Sequence, residues 1–298
     1  MKKQDSFSGY HPLVNFLYFG LVIGFTMFFL HPVCLITSLL CAVGYHIKLN
    51  GQKSVSFLLK YALPSLLLTA VINPAFNHRG SVILFYLPTG NPLTLESVLY
   101  GLAAATMLVS VLLWFSCYSS VMTSDKFVYL FGRIIPSLSL ILSMTLRFVP
   151  KFKTQFNEVK EAGAGLGHDI SGGSLPKRIK YALTCFSIMV TWSLENAIET
   201  ADSMKSRGYG LKNRTAFSVY TLTERDKYAL LWLALCGIYL LSGTLSGGLF
   251  WRYFPSISGI ISEPMTVSFE ISYLALCMTP LIIDIKEEIK WRFLQSKI

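Results

Sequence analysis

Charged residues are scarce in this chain. Asp, Glu, Lys and Arg together make up 14% of its 298 residues, against roughly 25% in an average soluble domain. Hydrophobic residues reach 53%, and the mean hydropathy is +0.52. This composition excludes a soluble domain and, with its long apolar runs, predicts an all-α integral membrane protein.

Paired cysteines are also missing. The chain has no Cys-x-x-Cys motif, so we predict neither a disulfide framework nor a zinc site. We interpret the six scattered cysteines as small apolar side chains that fill space: Cys34, Cys41, Cys117, Cys185, Cys236 and Cys277.

Signatures of catalysis and nucleotide binding are absent as well. The five histidines are far apart in sequence, and neither His-Glu-x-x-His nor Gly-x-Ser-x-Gly occurs. The glycine-rich residues 163–173 lack the Lys-Ser/Thr pair of a phosphate loop, so we interpret them as a flexible hinge between helices. We therefore predict no catalytic residue, no cofactor and no metal site. A substrate-conducting permease and a membrane-bound enzyme remain rival hypotheses, although spans with few charged residues disfavour a conduction path.

Six apolar segments are candidate membrane crossings. The first segment follows Lys2 and Lys3, as the apolar part of a signal peptide would. We interpret it as a span because it is long enough to cross and no small-x-small cleavage site follows it. Residues 81–87 are too short to cross and either re-enter the membrane or lie at its surface, and residues 134–149, with Pro136 and Arg147, are predicted to be half-sunk. The predicted crossings are residues 13–30, 33–47, 55–72, 95–121, 228–250 and 266–283.

Basic residues indicate the orientation. The net charge is +10, and about half of the Lys and Arg residues lie between residues 151 and 227. Because cytoplasmic segments carry such an excess, we expect this region and both termini in the cytoplasm. The predicted regions are residues 1–124, 125–227 and 228–298, the outer two being membrane helices and the middle one cytoplasmic helices.

The middle region predicts two long helices. Pro176 suits the first turn of one, which continues without an internal glycine to Gly208, a helix-stop residue. The other is predicted from Pro150 to about Ala162. Apolar residues recur along the longer helix at steps of three and four; the stripe either packs on the rest of the chain or receives a partner's helices. Its residues are Ile179, Leu183, Phe186, Val190, Leu194, Ala197, Ala201 and Met204.

Four segments together resemble the transmembrane T component of energy-coupling factor transporters (the EcfT/CbiQ-like family). They are NPAFNHRG at residues 73–80, DKFVYLFG at 125–132, LRFVP at 146–150 and ADSMKSRGYG at 201–210. The residue types of the segment 73–80 by themselves predict a turn at a helix end. The resemblance implies a scaffold that joins two cytoplasmic ABC-type ATPases to a small membrane S component for a vitamin or a metal ion. It also implies two cytoplasmic coupling helices, whose apolar faces hold the S component.

The resemblance further implies ATPase docking through an Ala-Arg-Gly-like triplet at each coupling-helix end. Ser206, Arg207 and Gly208 match the second triplet, with serine in place of alanine. A guanidinium can bind a partner carboxylate in a bidentate manner, although a surface cation at a helix C-terminus is the simpler alternative. The first triplet corresponds to Ala162, Gly163 and Ala164, which lack the arginine. Either that helix docks through packing and its glycine backbone, or its ATPase supplies a different groove; two different ATPases would suit this departure better.

Overall fold

The computed structural model describes residues 5–78, 80–86, 92–132, 135–166, 175–211, 220–259 and 263–295. The chain divides into two compact units: Met1–Phe127 with Tyr220–Ile298, and Val128–Val219. The helices that these residues form are α1 (Pro12–Phe28), α2 (Pro32–Asn50), α3 (Gln52–Phe57), α4 (Leu63–Phe76), α5 (Leu95–Val121), α6 (Ser124–Gly132), α7 (Pro136–Gly165), α8 (Leu175–Ser206), α9 (Glu224–Leu245) and α10 (Pro264–Gln295).

Among the described residues of the first unit, five helical segments are long and apolar enough to cross a membrane. They are α2, α5, α9, α10 and the continuous 25-residue segment Gln52–Phe76, in which a π-helical turn joins α3 to α4. The apolar helix α1 has 17 residues and is shorter than these five segments. The all-α membrane fold is thus confirmed. The predicted segment 228–250 extends too far, because α9 ends at Leu245.

The break predicted at residue 73 is wrong, since α4 continues to Phe76 with Pro74 inside it. Proline cannot donate to the carbonyl of Ala70, four residues earlier. That carbonyl lies against Gly101 of α5, where an added Cβ would come within 2.8 Å of its oxygen. The close approach of α4 and α5 therefore supports a helix that the proline alone would interrupt.

Four short strands lie between the membrane helices in the described part of the chain. Strand β1 (Ile83–Tyr86) pairs antiparallel with β2 (Pro92–Thr94), and β3 (Trp251–Arg252) pairs antiparallel with β4 (Ser258–Gly259). The pair β1–β2 follows α4 and leads into α5. Residues 81–87, which are too short to cross the membrane, thus contain the strand β1, and residue 87 lies outside the described residues.

The core of the first unit is aromatic. Trp114 of α5 is fully buried among Tyr18, Phe19 and Tyr45, with ring centroids 6.2 to 6.4 Å from its own. A buried hydroxyl network continues this core: Ser38 accepts the Trp114 indole N–H at 3.0 Å and lies 3.0 Å from the Thr26 hydroxyl. The Trp114 indole N–H and the Ser38 and Thr26 hydroxyls are thus all hydrogen-bonded, and these bonds fix the register of the helices that carry them.

The second unit contains the long helices α7 and α8. The start predicted for α7 at Pro150 is wrong, because the helix begins at Pro136 and runs 30 residues to Gly165. Pro136 occupies the first turn, where no N–H is needed. Pro150 lies inside the helix, where it cannot donate to the Leu146 carbonyl and its ring crowds that carbonyl. Gly163 and Gly165 are also helical, which corrects the first part of the predicted hinge; residues 167–174 lie outside the described residues.

Candidate coupling-helix site

The end of α8 has a defined cap. The N–H of Tyr209 donates to the Met204 carbonyl at 3.0 Å, and that of Gly208 donates to the Lys205 carbonyl at 3.0 Å. This pair of bonds is a Schellman motif, which places the residue after the cap in the left-handed region. Gly208 has φ +78° there. The glycine of the triplet is thus explained by backbone geometry, and the cap residue is Arg207.

Arg207 is exposed, and it takes part in none of the salt bridges found among the described residues. The Ser206 hydroxyl donates to the Ser203 carbonyl at 2.9 Å and so remains within its own helix. The guanidinium therefore lies at the negative end of the helix dipole with no carboxylate partner in the described chain.

The first triplet has a different environment. Gly163 is buried in the last turn of α7, and a Cβ at this position would overlap the hydroxyl of Tyr181 from α8. The Tyr181 hydroxyl also lies 3.5 Å from the Val159 carbonyl. Ala162 and Ala164 on either side are exposed. Gly163 thus permits close packing of α7 on α8, while its two neighbours remain accessible for the predicted docking.

The helices α7 and α8 pack as an antiparallel pair. Phe152 meets Trp192 edge to face with ring centroids 5.3 Å apart. Lys151 donates to the Asn196 side-chain oxygen at 2.6 Å and lies over the Trp192 ring at 5.2 Å. Residue 163 of α7 contacts residue 181 of α8, and residue 152 contacts residue 192. The contact position moves forward along α8 by about as many residues as it moves back along α7, as in an antiparallel pair.

A cavity of about 370 Å³ lies between these two helices, toward the Arg207 end of α8. It extends beyond the contact of Phe152 with Trp192 and is mainly apolar. The residues around it are Met144, Phe148, Phe152, Trp192, Ser193, Asn196, Ala197, Thr200, Ala201 and Met204.

Most of the predicted stripe on α8 is left uncovered by α7, whereas its last three residues, Ala197, Ala201 and Met204, border the cavity between the two helices. Ile179, Leu183, Phe186 and Leu194 are each 60 to 66% exposed, and Val190 is 40% exposed; Ala197 and Ala201 are exposed too. The buried face is instead formed by Tyr181, Cys185, Met189 and Trp192, roughly a third of a turn around the helix. The helix is therefore apolar on two faces, one of which is left open.

Ionisable side chains in the first unit were missed from the sequence. His31, fully buried at the start of α2, has its Nδ1 3.1 Å from Glu270 Oε1 of α10. Glu96 of α5 is also buried. The signal was present, since an acidic residue inside a predicted span is uncommon. His31 is the N-cap residue of α2 and Glu96 lies in the first turn of α5, so both groups lie at helix starts.

A second polar cluster ties the N-terminal segment to α2 and α10. Asp5 accepts from the Tyr45 hydroxyl at 2.9 Å, and Asp284 accepts from the backbone N–H groups of Ser6 and Phe7 at 2.9 and 3.2 Å. Lys48 lies 3.2 Å from the other Asp284 oxygen. Burial raises the pKa of Asp5 to about 7, and a hydrogen bond with Asp284 and repulsion by its negative charge contribute to the increase. No group of three or more metal-ligating side chains occurs among the described residues.

Comparison with known proteins now identifies the family. The model of the CbiQ family, described as cobalt transport protein, matches residues 10–217. The chain belongs to this family. The match contains all four resemblance segments and both long helices of the second unit.

Individual relatives agree with the family match. The chain is 31% identical to the energy-coupling factor transporter transmembrane protein EcfT of Lactobacillus helveticus, and 30% identical to EcfT of Lacticaseibacillus paracasei, over 112 residues each. Both alignments cover 37% of this chain and 40% of the relative. An uncharacterised Mycoplasma genitalium protein, MG181, is 24% identical over 169 residues, which are 53% of this chain and 40% of that protein. The chain thus spans about 40% of the length of these relatives.

Proposed function

We propose that this CbiQ-family chain is the T component of an energy-coupling factor importer. In this role it is a non-catalytic membrane scaffold that transmits motion from two cytoplasmic ABC-type ATPases to a small membrane S component. The S component binds the vitamin, other micronutrient or metal ion, so its identity determines the cargo. The names of the EcfT relatives support the assignment to such a transporter.

The open apolar face of α8 carries the proposal. Its exposed side chains include Leu183 and Phe186, while a separate face already packs on α7. Exposed apolar area costs about 25 cal/mol per Å² in water, so a helix that keeps this stripe is suited to a partner. We assign the stripe to the S component.

Arg207 supplies the second contact in this proposal. The Schellman cap fixes the direction in which the chain leaves α8 and holds Arg207 at an exposed corner. A guanidinium there can form a bidentate pair with a carboxylate in an ATPase groove. ATP binding by the ATPases would move this corner, and α8, stiffened by α7, would transmit the motion to the S component.

The first triplet would dock differently, through Ala162 and Ala164, because no arginine is present there. Two non-identical ATPases suit this asymmetry. In the proposed orientation, the second unit and both termini lie in the cytoplasm of a prokaryotic cell and the first unit spans its inner membrane, as the basic residues indicate.

The test reverses the charge at the α8 corner. Arg207→Glu should abolish uptake and reduce ATPase co-purification, because a carboxylate would repel the acceptor in the groove. Lys205→Glu is the matched control, since Lys205 is exposed in the same last turn but lies outside the triplet. Mass spectrometry of chains that co-purify in mild detergent measures binding, and radiolabelled cargo measures uptake.

Normal co-purification and uptake with Arg207→Glu would contradict the docking role. The rival permease hypothesis is tested in the same preparation, because we expect no flux into proteoliposomes that contain this chain alone. Cargo uptake without any partner would instead support a permease.

A further inference from the structure

The strand β1 exposes apolar side chains on both of its faces. Ile83, Leu84, Phe85 and Tyr86 are 47 to 65% exposed. Successive side chains of a strand point to opposite faces, so a sheet with one wet face alternates apolar with polar residues. This strand does not alternate, and neither face of it is suited to bulk water.

Charge is missing from the whole surrounding segment. Residues 81–95 contain no Asp, Glu, Lys or Arg, although they connect two membrane helices. The other strand pair provides a contrast: β3 carries Arg252, and Ser256 lies exposed between β3 and β4. The two strand pairs therefore differ in charge.

The exposed strand continues a surface that is itself apolar. Strand β2 contacts α4 and α5, and only 6% of the apolar window in the span Gln52–Phe76 is buried. The described chain therefore leaves most of this span uncovered. The exposed apolar side chains of α4, the helix that precedes β1, include Leu67, Leu68, Val71, Ile72 and Phe76.

The base of the strand pair is fixed to the membrane helices. Glu96, in the first turn of α5, accepts the Ser81 hydroxyl at 2.6 Å and the backbone N–H groups of Ser81 and Val82 at 3.1 and 3.2 Å. An added Cβ at Gly80 would lie 2.5 Å from this carboxylate. The residues just before β1 are therefore held at the N-terminal end of α5 by charge-assisted bonds.

The depth of the strand pair follows from its edges. A two-stranded sheet has one unpaired edge on each strand, and unpaired backbone groups are not tolerated in the hydrocarbon core. In the headgroup region, water and lipid can bind those groups, while Tyr86 has the amphipathic ring of an interfacial aromatic residue and Phe85 adds apolar area. The apolar faces and the open edges are both satisfied at this depth.

We propose that the β1–β2 strand pair inserts into the lipid headgroup interface and anchors the connection between α4 and α5 there. Its partner is the bilayer surface. The proposal concerns a part of the chain that is separate from the coupling helices and does not depend on the transport role.

A fluorescent label at residue 85 tests the proposal. All six native cysteines are buried, so Phe85→Cys in the full chain can be labelled selectively with an NBD maleimide, with the wild-type chain measuring background labelling. Ser256→Cys is the control in the charged strand pair, and Val71→Cys, on the exposed face of α4, is the control for lipid contact. The labelled chains are reconstituted into phosphatidylethanolamine–phosphatidylglycerol vesicles.

We expect the label at residue 85 to emit at shorter wavelength than the label at residue 256 and to be quenched several-fold less by iodide. Lipids with a nitroxide near the headgroup should quench it more than lipids with a nitroxide near the acyl-chain end. Iodide quenching equal to that at residue 256 would overturn the proposal. Protection from iodide without nitroxide quenching would also overturn it, because a protein, such as a second copy or a partner, would then cover the strand.

If Phe85→Cys does not fold, Tyr86→Cys provides the same measurement from the opposite face of the strand. Correct folding is checked by size-exclusion chromatography in detergent before labelling. Stronger quenching by the nitroxide near the acyl-chain end would place the strand in the hydrocarbon core and would likewise overturn the proposal.

Discussion

The two units of this chain use their apolar residues in opposite ways. In the first unit, the large side chains of Tyr18, Trp114 and Tyr273 are less than 2% exposed. Among the described side chains of the second unit, α8 buries Cys185 and Met189, and α7 buries no hydrophobic side chain. Similar residue types thus form a packed core in one unit and an open surface in the other.

This difference separates stability from recognition. Aromatic packing and the Thr26–Ser38–Trp114 hydroxyl network stabilise the first unit internally. The α7–α8 pair is held by fewer contacts, such as Phe152 with Trp192. We therefore expect substitutions in the first unit to change unfolding and those on the open face of α8 to change partner binding.

The largest expected effect is at Trp114. Trp114→Ala would leave a cavity among Tyr18, Phe19 and Tyr45 and remove the donor to Ser38, and core Trp→Ala changes typically cost about 3–5 kcal/mol of unfolding free energy. Thermal unfolding of the purified chain in detergent measures it. The matched control is Trp291→Ala, because Trp291 is 64% exposed. An equal loss in both variants would contradict the core assignment.

The next effect depends on pH and concerns Asp5. Its pKa rises on folding from 3.8 to about 7, so between these values the folded chain binds more protons than the unfolded chain. Stability from this group is therefore complete below pH 3.8 and decreases as the pH rises toward about 7. We expect Asp5→Asn, which mimics the neutral carboxyl, to flatten this decrease in the unfolding temperature.

The control for the pH experiment is Glu195→Gln, which removes an exposed carboxylate from α8. It should leave the slope of unfolding temperature against pH as in the wild-type chain. An unchanged slope in Asp5→Asn would show that the carboxylate pair with Asp284 does not hold a proton.

The smallest effect on stability is expected at Leu183. Leu183→Asp alters a side chain that is 63% exposed, and surface changes usually stay within about 0.5 kcal/mol. Co-purification of the small membrane partner should nevertheless fall, because a carboxylate would be buried in the contact. The control is Glu199→Gln, which lies off the stripe. A large loss of stability with partner binding intact would reverse our assignment of this face.

Much of the fold could be predicted from the pattern of residues. Segments of about twenty apolar residues require helices because lipid offers no hydrogen-bond partners, and Gly208 indicated the end of α8. Prolines misled the prediction at Pro74 and Pro150. In both places the helix continues through the proline. At Pro74, the close approach of α4 to Gly101 of α5 supports it, so a proline inside an apolar helix does not by itself mark the helix end.

The candidate site was predictable in part. Periodicity identified the α8 stripe, yet it could not decide whether that stripe faces the chain itself or remains open. The answer depended on Tyr181, Cys185, Met189 and Trp192, which form a second apolar face. The pairing of His31 with Glu270 joins α2 to α10, and sequence spacing carries no information about such distant contacts.

The sequence by itself determined the membrane class, the family and the approximate positions of the helices, because hydropathy and local backbone preferences are properties of neighbouring residues. Only the tertiary structure decided which apolar face of α8 is covered, why Gly163 must lack a side chain and how Asp5 meets Asp284. These features depend on close contacts between segments distant in sequence, where packing and the burial of charge, rather than local preference, set the free energy.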